Sequence, residues 1–358
     1  MKRPPVGVLL IATALCSLGI GAAIPSLTHR MISTHTFATP APVGSPSTGN
    51  TSQALASGSS LNKQTTPADS PQSVIVASFG TNDATLSWIP SSHATQYLVY
   101  RGTSPNLSNA QVVAQTSSNR FDDTNLQPNT VYYYWVAGSN QAGVASPSRC
   151  VSFETYDSWS DIRQKYAQSV VKVLTYNTIW GVFGSGTVGT GFVVQGGYIV
   201  TNYHIIDRWN WAIDVFYANG TKKFHARIVH VDKAHDLAVL QIVGAAPPNV
   251  APVPLCDALP QKGDNVAVMG YPANRSLAFT TGTVNDVHST VNVSGDGLSN
   301  VTLRNLIATN ARSVKGNSGS PLFNRYGQAV GVMESESVNG SHIAYAVPAR
   351  VLAQWGIQ

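Results

Sequence analysis

The second half of the chain is a succession of short apolar runs separated by turn residues. From about residue 170 to residue 345 no helical periodicity interrupts these runs. Gly196-Gly197 and Asn219-Gly220 mark tight hairpins. About a dozen strands without helices between them argue against a parallel sheet, because parallel strands need long crossovers. The pattern predicts an all-β fold of closed barrels, followed by a short helix in PARVLAQW at residues 348–355.

A second group of strand-like runs lies between about residues 73 and 155. Leu86 and Trp88 alternate with polar residues in ATLSWIP, and an aromatic run stands at Tyr132–Trp135. Short strands with turn signals about every ten residues predict an antiparallel β-sandwich. The aromatic run has two interpretations, core residues of a strand or a sugar-binding platform. The core interpretation is favoured, because strands select aromatic side chains for packing.

The first residues have the pattern of an export signal. Lys2 and Arg3 precede an uncharged apolar run at residues 6–24, and Gly21-Ala22-Ala23 offers a cleavage site of small residues. The same run is long enough to serve as an uncleaved membrane anchor. Either outcome places the protein outside the cytoplasm, secreted or anchored to the cell membrane. The segment that follows is rich in Ser, Thr, Pro, Ala and Gly, which favours a disordered linker.

These patterns divide the chain into four regions. They are a signal peptide or anchor at 1–27, a disordered linker at 28–71, a β-sandwich at 72–156 and a barrel domain at 157–358.

Charge and cysteine usage narrow the classes of partner. The net charge is +5, and the 22 basic residues are scattered rather than clustered, which argues against nucleic-acid binding. Cys16 belongs to the apolar run near the start. Cys150 and Cys256 lie in different predicted regions, so pairing and free thiols both remain open.

The stretch SVKGNSGSPLFN, residues 313–324, has the composition of a nucleophile turn. A serine nucleophile needs a histidine base, an acid that orients the base, and backbone N–H donors for the oxyanion. Gly316 before Ser318 lets such donors converge. Among nine histidines, His204 directly follows the apolar strand GYIVTN. Asp236 begins the apolar strand DLAVLQI, where an unpaired carboxylate would be costly to bury.

The segments around these residues resemble the trypsin-fold serine proteases, most closely the HtrA-like (Deg) branch. GTGFVVQGGYIVTNYHII, AHDLAVLQI and GNSGSPLFNRYGQAVGV stand in the order His, Asp, Ser, and the resemblance covers about residues 162–351. It implies catalytic roles for His204, Asp236 and Ser318, and oxyanion donors at the N–H groups of Gly316 and Ser318. It also implies two barrels with the triad between them, and it calls for no metal or organic cofactor.

Some positions depart from the HtrA-like pattern. Ser320 stands where that branch usually has a second glycine, and G-N-S-G-S-P is similar to secreted glutamyl endopeptidases. Those proteases place a histidine in the strand of the specificity pocket, where this chain has Met333. Arg312, Met333 and Glu334 are the candidates for substrate binding, although an exposed loop explains Arg312 equally well.

The first group of strands resembles the fibronectin type III domain. Leu126–Tyr132 is similar to its tyrosine corner, in which a tyrosine hydroxyl bonds to the backbone, and Trp88 is similar to its core tryptophan. Such a domain implies a cell-wall, polysaccharide or protein ligand without identifying one.

Together these features predict an exported serine endopeptidase that acts on protein or peptide substrates and meets a membrane only through residues 6–24. The alternative is a surface binding or adhesion protein whose protease fold is latent or inactive.

Overall fold

The computed structural model describes residues 66–357, apart from five short gaps. The gaps are 180–181, 208–211, 218–219, 296–297 and 337–341. The predicted signal or anchor segment and most of the predicted linker lie outside the described residues. Among the helices of the described part, none is long and apolar enough to cross a membrane. The described chain forms two compact units that divide between Ser158 and Trp159.

The first unit is an antiparallel β-sandwich. Its strands are β1 (Gln72–Phe79), β2 (Asp83–Ile89), β3 (Gln96–Gly102), β4 (Gln111–Thr116), β5 (Arg120–Thr124), β6 (Val131–Asn140), β7 (Gly143–Val144) and β8 (Val151–Glu154). One sheet has the order β1-β2-β5. The other has the order β4-β3-β6-β7, and β8 also pairs with β6.

The aromatic residues of the sandwich are core residues. Tyr132, Tyr134 and Trp88 are buried in the core cluster of the sandwich, and Trp135 is buried outside that cluster. The hydroxyl oxygen of Tyr132 accepts a hydrogen bond from the N–H of Gln127 at 2.9 Å, which is the tyrosine corner that the sequence predicts. The core interpretation of the aromatic run is therefore confirmed.

The residues just before β1 already belong to the sandwich. Ala68 is buried, and the N–H of Asp69 donates to the carbonyl oxygen of Ser92 at 3.1 Å. The side chain of Asn140 also donates to the carbonyl oxygen of Thr66 at 2.8 Å. Residues 66–71, which the sequence assigns to the linker, are thus fixed by backbone hydrogen bonds.

The second unit begins with helix α1 (Trp159–Tyr166). Ser160 has the residue type of a helix N-cap, but it lies inside this helix, which already includes Trp159. The Trp159 ring packs edge-on against Phe279 with centroids 5.9 Å apart, and the Arg325 guanidinium lies 4.5 Å from its centroid. These contacts stabilise Trp159 as part of the helix.

Two closed six-stranded barrels follow, and they confirm the predicted all-β fold. The first contains β9 (Val170–Ile179), β10 (Val182–Val193), β11 (Ile199–Asn202), β12 (Ala212–Tyr217), β13 (Lys223–Asp232) and β14 (Leu237–Ile242). The second contains β15 (Asn265–Gly270), β16 (Ala278–Gly295), β17 (Leu298–Thr309), β18 (Pro321–Phe323), β19 (Ala329–Glu336) and β20 (Ala344–Pro348). Helix α2 (Tyr203–Ile206) follows β11, and helix α3 (Arg350–Ala353) lies within the predicted last helix.

The strand order explains why distant motifs meet. In the first barrel β11 pairs with β14, and Asn202 lies opposite Leu237. The residues just after β11 and just before β14 are therefore neighbours. In the second barrel the turn before β18 is fixed on β19, because the N–H of Gly319 donates to the carbonyl oxygen of Met333 at 2.8 Å.

Cys150 is a free thiol, and Sγ of Cys256 lies 3.8 Å from the carbonyl oxygen of Ala258. Burial raises the pKa of the Cys150 thiol to about 11. Cys150 belongs to the sandwich unit and Cys256 to the barrel unit.

Candidate active site

His204 and Asp236 form a close pair at the meeting point of β11 and β14. The imidazole Nδ1 of His204 lies 2.6 Å from Oδ2 of Asp236. The backbone N–H of His204 donates to the other carboxylate oxygen, Oδ1, at 2.8 Å. Both carboxylate oxygens are therefore engaged with one residue. This arrangement fixes the ring orientation and leaves Nε2 as the nitrogen that can accept a proton.

The backbone holds Asp236 in a fixed position. Its side chain is fully buried, and its φ of +53° lies in the left-handed region. Its carbonyl oxygen accepts hydrogen bonds from the side chain of Asn202 at 2.9 Å and from the N–H of Tyr203 at 3.1 Å. A short polar side chain tolerates this conformation better than a branched one. The strained turn aims the carboxylate at His204.

The other aspartates that the sequence offers have partners of their own. Asp207 accepts from the hydroxyl of Tyr203, Asp214 pairs with His225, and Asp232 pairs with His235 at 2.7 Å. Burial by itself would raise the pKa of Asp232, but hydrogen bonds from His235 and Ala234 lower it. Asp236 is the aspartate that the described structure brings to His204.

Ser318 lies in a compact turn that two glycines make possible. Gly316 has a φ of +102° and Gly319 a φ of +85°. A Cβ on Gly319 would lie 1.9 Å from the carbonyl oxygen of Thr190, and one on Gly316 would lie 2.5 Å from that of Tyr271. Both positions therefore need glycine, for backbone conformation and for space.

The turn presents two N–H groups suited to an oxyanion. In the part of the chain that the structure describes, neither the N–H of Gly316 nor that of Ser318 donates a hydrogen bond. The carbonyl oxygen of Lys315 accepts from the N–H of Ala273 at 2.7 Å. Because C=O and N–H of a trans peptide point in opposite directions, this contact turns the N–H of Gly316 away from Ala273. The orientation of that donor is thus set before any ligand binds.

Thr190 of β10 anchors the same turn to the first barrel. Its N–H donates to the carbonyl oxygen of Ser318 at 2.8 Å, and its hydroxyl donates to that of Gly316 at 2.8 Å. The hydroxyl also accepts from the N–H of Tyr271 at 3.0 Å. Sequence reasoning missed this residue. The one indication in the sequence was a threonine within a strand that is rich in glycine and apolar residues.

The hydroxyl of Ser318 contacts the strand behind it. Ser318 Oγ donates a hydrogen bond to the backbone carbonyl oxygen of Glu334 at 2.9 Å. A serine hydroxyl has a single proton. In this conformation the proton therefore points to β19.

The predicted substrate-binding residues lie in different environments. Arg312 is exposed, and its carbonyl oxygen accepts from the hydroxyl of Thr280 at 2.8 Å. Met333 is fully buried among the apolar side chains of the second barrel. Glu334 is also buried, with its carboxylate next to His204 and Asp236.

The His204, Asp236 and Glu334 side chains also have donor atoms of the kind that bind divalent cations. One such atom from each lies within 4.8 Å of the others. Asp236, however, already uses both oxygens for His204. A metal ion here would compete with that pair, so the geometry fits a hydrogen-bonded cluster better than a metal centre.

Comparison with known proteins places this geometry in a family. Residues 189–332 match the family profile of the trypsin-like peptidase domain, and residues 69–154 match that of the fibronectin type III domain. The chain therefore carries a peptidase domain of the trypsin-like serine class behind a fibronectin type III domain. The relatives of this domain include HtrA-like serine proteases.

Three relatives illustrate the similarity. Magnetosome formation protease MamE of Paramagnetospirillum magneticum is 32% identical over 45% of this chain and 22% of its own length. Periplasmic serine endoprotease DegP of Salmonella typhimurium is 32% identical over 40% of this chain and 29% of its own length. The active-form crystal structure of the Rv3671c protease from M. tuberculosis is 25% identical, covers 55% of this chain and 82% of that one, and has a TM-score of 0.46. This chain spans less than a third of the length of MamE and DegP.

Proposed function

We propose that this protein is an exported serine endopeptidase with His204, Asp236 and Ser318 as its catalytic triad. His204 takes the proton of Ser318 through Nε2, and Ser318 Oγ attacks the scissile carbonyl carbon. Asp236 keeps the imidazole oriented and stabilises its charged form. The peptide C–N bond then breaks as His204 returns the proton to the leaving amine, and water hydrolyses the acyl-enzyme.

The tetrahedral intermediate needs donors for its negative oxygen. The N–H groups of Gly316 and Ser318 are the candidates, since neither donates a hydrogen bond within the described structure. Their removal from a preorganised site would cost about 10²–10³-fold in rate per donor. Residues Arg312, Met333 and Glu334 remain proposals for substrate contact, with Arg312 the one that solvent and substrate reach directly.

One observation carries this proposal. His204 contacts both carboxylate oxygens of Asp236, at 2.6 and 2.8 Å, in the first barrel. The Ser318 turn is hydrogen-bonded to the same barrel through Thr190. A base, an orienting acid, a serine and two unused N–H donors are the set that serine acyl transfer requires.

The experiment uses the full chain with unfolded casein and a serine-directed fluorophosphonate probe. Wild type should label and cleave, while Ser318→Ala should do neither. Absence of both activities in folded wild type at every pH tested would defeat the proposal. Ser108→Ala, which removes an exposed serine of the sandwich, is the matched control and should behave as wild type.

A second candidate is a surface binding or adhesion protein with a latent protease fold. The observation in its favour is the Ser318 hydroxyl, which donates to the carbonyl of Glu334 and must turn toward His204 before it can react. Labelling without casein cleavage would support latency or narrow specificity.

The proposed protease function also implies a location and a set of partners. The relative DegP is described as periplasmic, in line with an extracytoplasmic place for this chain. Protein or peptide substrates are the expected partners of the barrels. A cell-wall, polysaccharide or protein ligand is expected for the sandwich, and membrane contact for residues 6–24 alone.

A further inference from the structure

A second buried carboxylate lies beside the His204–Asp236 pair. The side chain of Glu334 is 2% exposed, although strands that line a barrel core seldom bury a glutamate. A carboxylate oxygen of Glu334, one of Asp236 and a ring nitrogen of His204 lie within 4.8 Å of one another. One imidazole and two buried carboxylates are therefore close together.

The surroundings supply little other charge. Strands β11, β18 and β20, which lie next to β19, contain no Asp, Glu, Lys, Arg or His, and Tyr345 of β20 is their one ionisable residue. Glu336 stands two residues further along β19, and its side chain is outside the described set. The turn before β18, which is bonded to β19 through Gly319, adds the exposed Arg312 and Lys315. A ring nitrogen of His204 and a carboxylate oxygen of Asp236 lie within 4.8 Å of the Glu334 carboxylate.

The charges in such a cluster act on one another. Two carboxylates at this distance repel each other, and an imidazolium between them relieves the repulsion. A general base, however, must be neutral before it can accept the serine proton. An ionised Glu334 therefore has opposite effects on the two stages of the reaction. It retains the proton on the resting imidazole, and it stabilises the imidazolium that forms in the transition state.

We propose that Glu334 is a positioning residue that sets the protonation state of His204 and thereby the lower pH limit of catalysis. This inference rests on the proposed triad. The carbonyl oxygen of Glu334 accepts from Ser318 Oγ at 2.9 Å, and its carboxylate lies within 4.8 Å of a ring nitrogen of His204, so one residue of β19 lies near both partners of the proton transfer.

The first test measures protonation without turnover. In the full chain carrying Ser318→Ala, NMR follows the His204 ring signals, identified as those lost in His204→Ala. The titration midpoint should lie above about 6.5, the ordinary value for histidine. Adding Glu334→Gln should lower it by about 1 to 3 pH units. Glu334→Asp should retain most of the elevation because it keeps the charge.

The matched control is Asp286→Asn. It removes the same charge from an exposed aspartate whose carboxylate accepts local hydrogen bonds from Ser289, at 2.7 Å, and from the backbone of Val287 and His288. It should leave the midpoint unchanged. A Gln variant that titrates like its parent would overturn the inference. If Glu334→Gln fails to fold, a His204 titration midpoint at or below about 6.5 in the Ser318→Ala parent would overturn the inference in the same way.

The second test links protonation to chemistry. With Ser318 intact, the rate of fluorophosphonate labelling is measured from about pH 4 to pH 10. In Glu334→Gln the acidic limb of this pH profile should move to lower pH by the same amount as the NMR titration midpoint. If wild type never labels, the proposed function fails while the titration still decides the role of Glu334. If wild type is labelled but the acidic limb of the pH profile does not move in Glu334→Gln, only the proposed role of Glu334 is refuted.

Discussion

The hydroxyl of Thr190 donates a hydrogen bond to the carbonyl oxygen of Gly316 at 2.8 Å. Through this contact a strand of the first barrel holds the Gly316–Asn317 peptide unit, which connects the two peptide units that carry the proposed oxyanion donors. The same hydroxyl accepts from the N–H of Tyr271 at 3.0 Å, so it joins three segments of the chain. The order of the Ser318 turn therefore depends on a residue that takes no part in proton transfer.

Thr190→Val should lower kcat/KM by about 10-fold, less than the loss of an oxyanion donor itself. Valine keeps the shape but leaves the carbonyl of Gly316 and the N–H of Tyr271 without their partner, at a cost of about 1–3 kcal/mol for each buried group. Casein hydrolysis and thermal unfolding measure the two effects.

Thr309→Val is the matched control for Thr190. The buried hydroxyl of Thr309 also donates and accepts, to Thr283 at 2.8 Å and from Ala311 at 3.1 Å, but away from the Ser318 turn. Thr309→Val should lower the free energy of unfolding but leave kcat/KM per folded molecule unchanged. Equal rate losses in the two variants would refute a specific role for Thr190.

Asp236→Asn should reduce kcat by about 10⁴-fold, because an amide favours the wrong tautomer of His204. Asparagine tolerates the φ of +53° at this position, so the backbone and the stability should change little. Asp232→Asn, which alters the neighbouring pair with His235, should keep near-normal activity. A fully active Asp236→Asn enzyme would contradict the assignment of the acid.

Ser320→Ala should raise stability by about 1 kcal/mol, the order of cost of an unpaired buried hydroxyl. Ser320 is fully buried, and its Oγ has no hydrogen-bond partner among the described residues. The fluorophosphonate labelling of Ser318 should persist in the variant. Chemical denaturation provides the measurement, and a clear loss of stability would show that this hydroxyl is satisfied after all.

Cys150 should react slowly with iodoacetamide at about pH 8. Burial raises its pKa to about 11, and only the thiolate is nucleophilic. The thiolate fraction, and with it the rate, should fall about 100-fold relative to the urea-unfolded chain. The rate should continue to rise above about pH 9, where an ordinary thiol levels off. Peptide mass spectrometry reads the rate, and equal rates in folded and unfolded chains would contradict the burial.

The sequence predicts the all-β class and the candidate triad because those signals are local. His204, Asp236 and Ser318 each directly follow or precede a strand, within a short motif. The contacts of Thr190 could not be predicted in this way, since its hydroxyl partner Gly316 stands 126 positions away.

The orientation of Glu334 also escaped sequence reasoning. If side chains alternated regularly along β19, Met333 and Glu334 would point to opposite faces of the sheet. The pairing of β19 with β20, however, shifts register between Met333 and Ser335. Such an irregularity changes which way side chains point. The carboxylate of Glu334, a sequence candidate for substrate contact, lies near His204.

The division of the proposed triad between two barrels has a consequence for biosynthesis. His204 and Asp236 belong to the barrel that is translated first, and Ser318 belongs to the barrel that is translated later. A ribosome that has completed only the first barrel has made a base and an acid without a nucleophile. Hydrolytic capacity would therefore arise only when the later barrel docks on Thr190, which spares the nascent chain and its neighbours from premature cleavage.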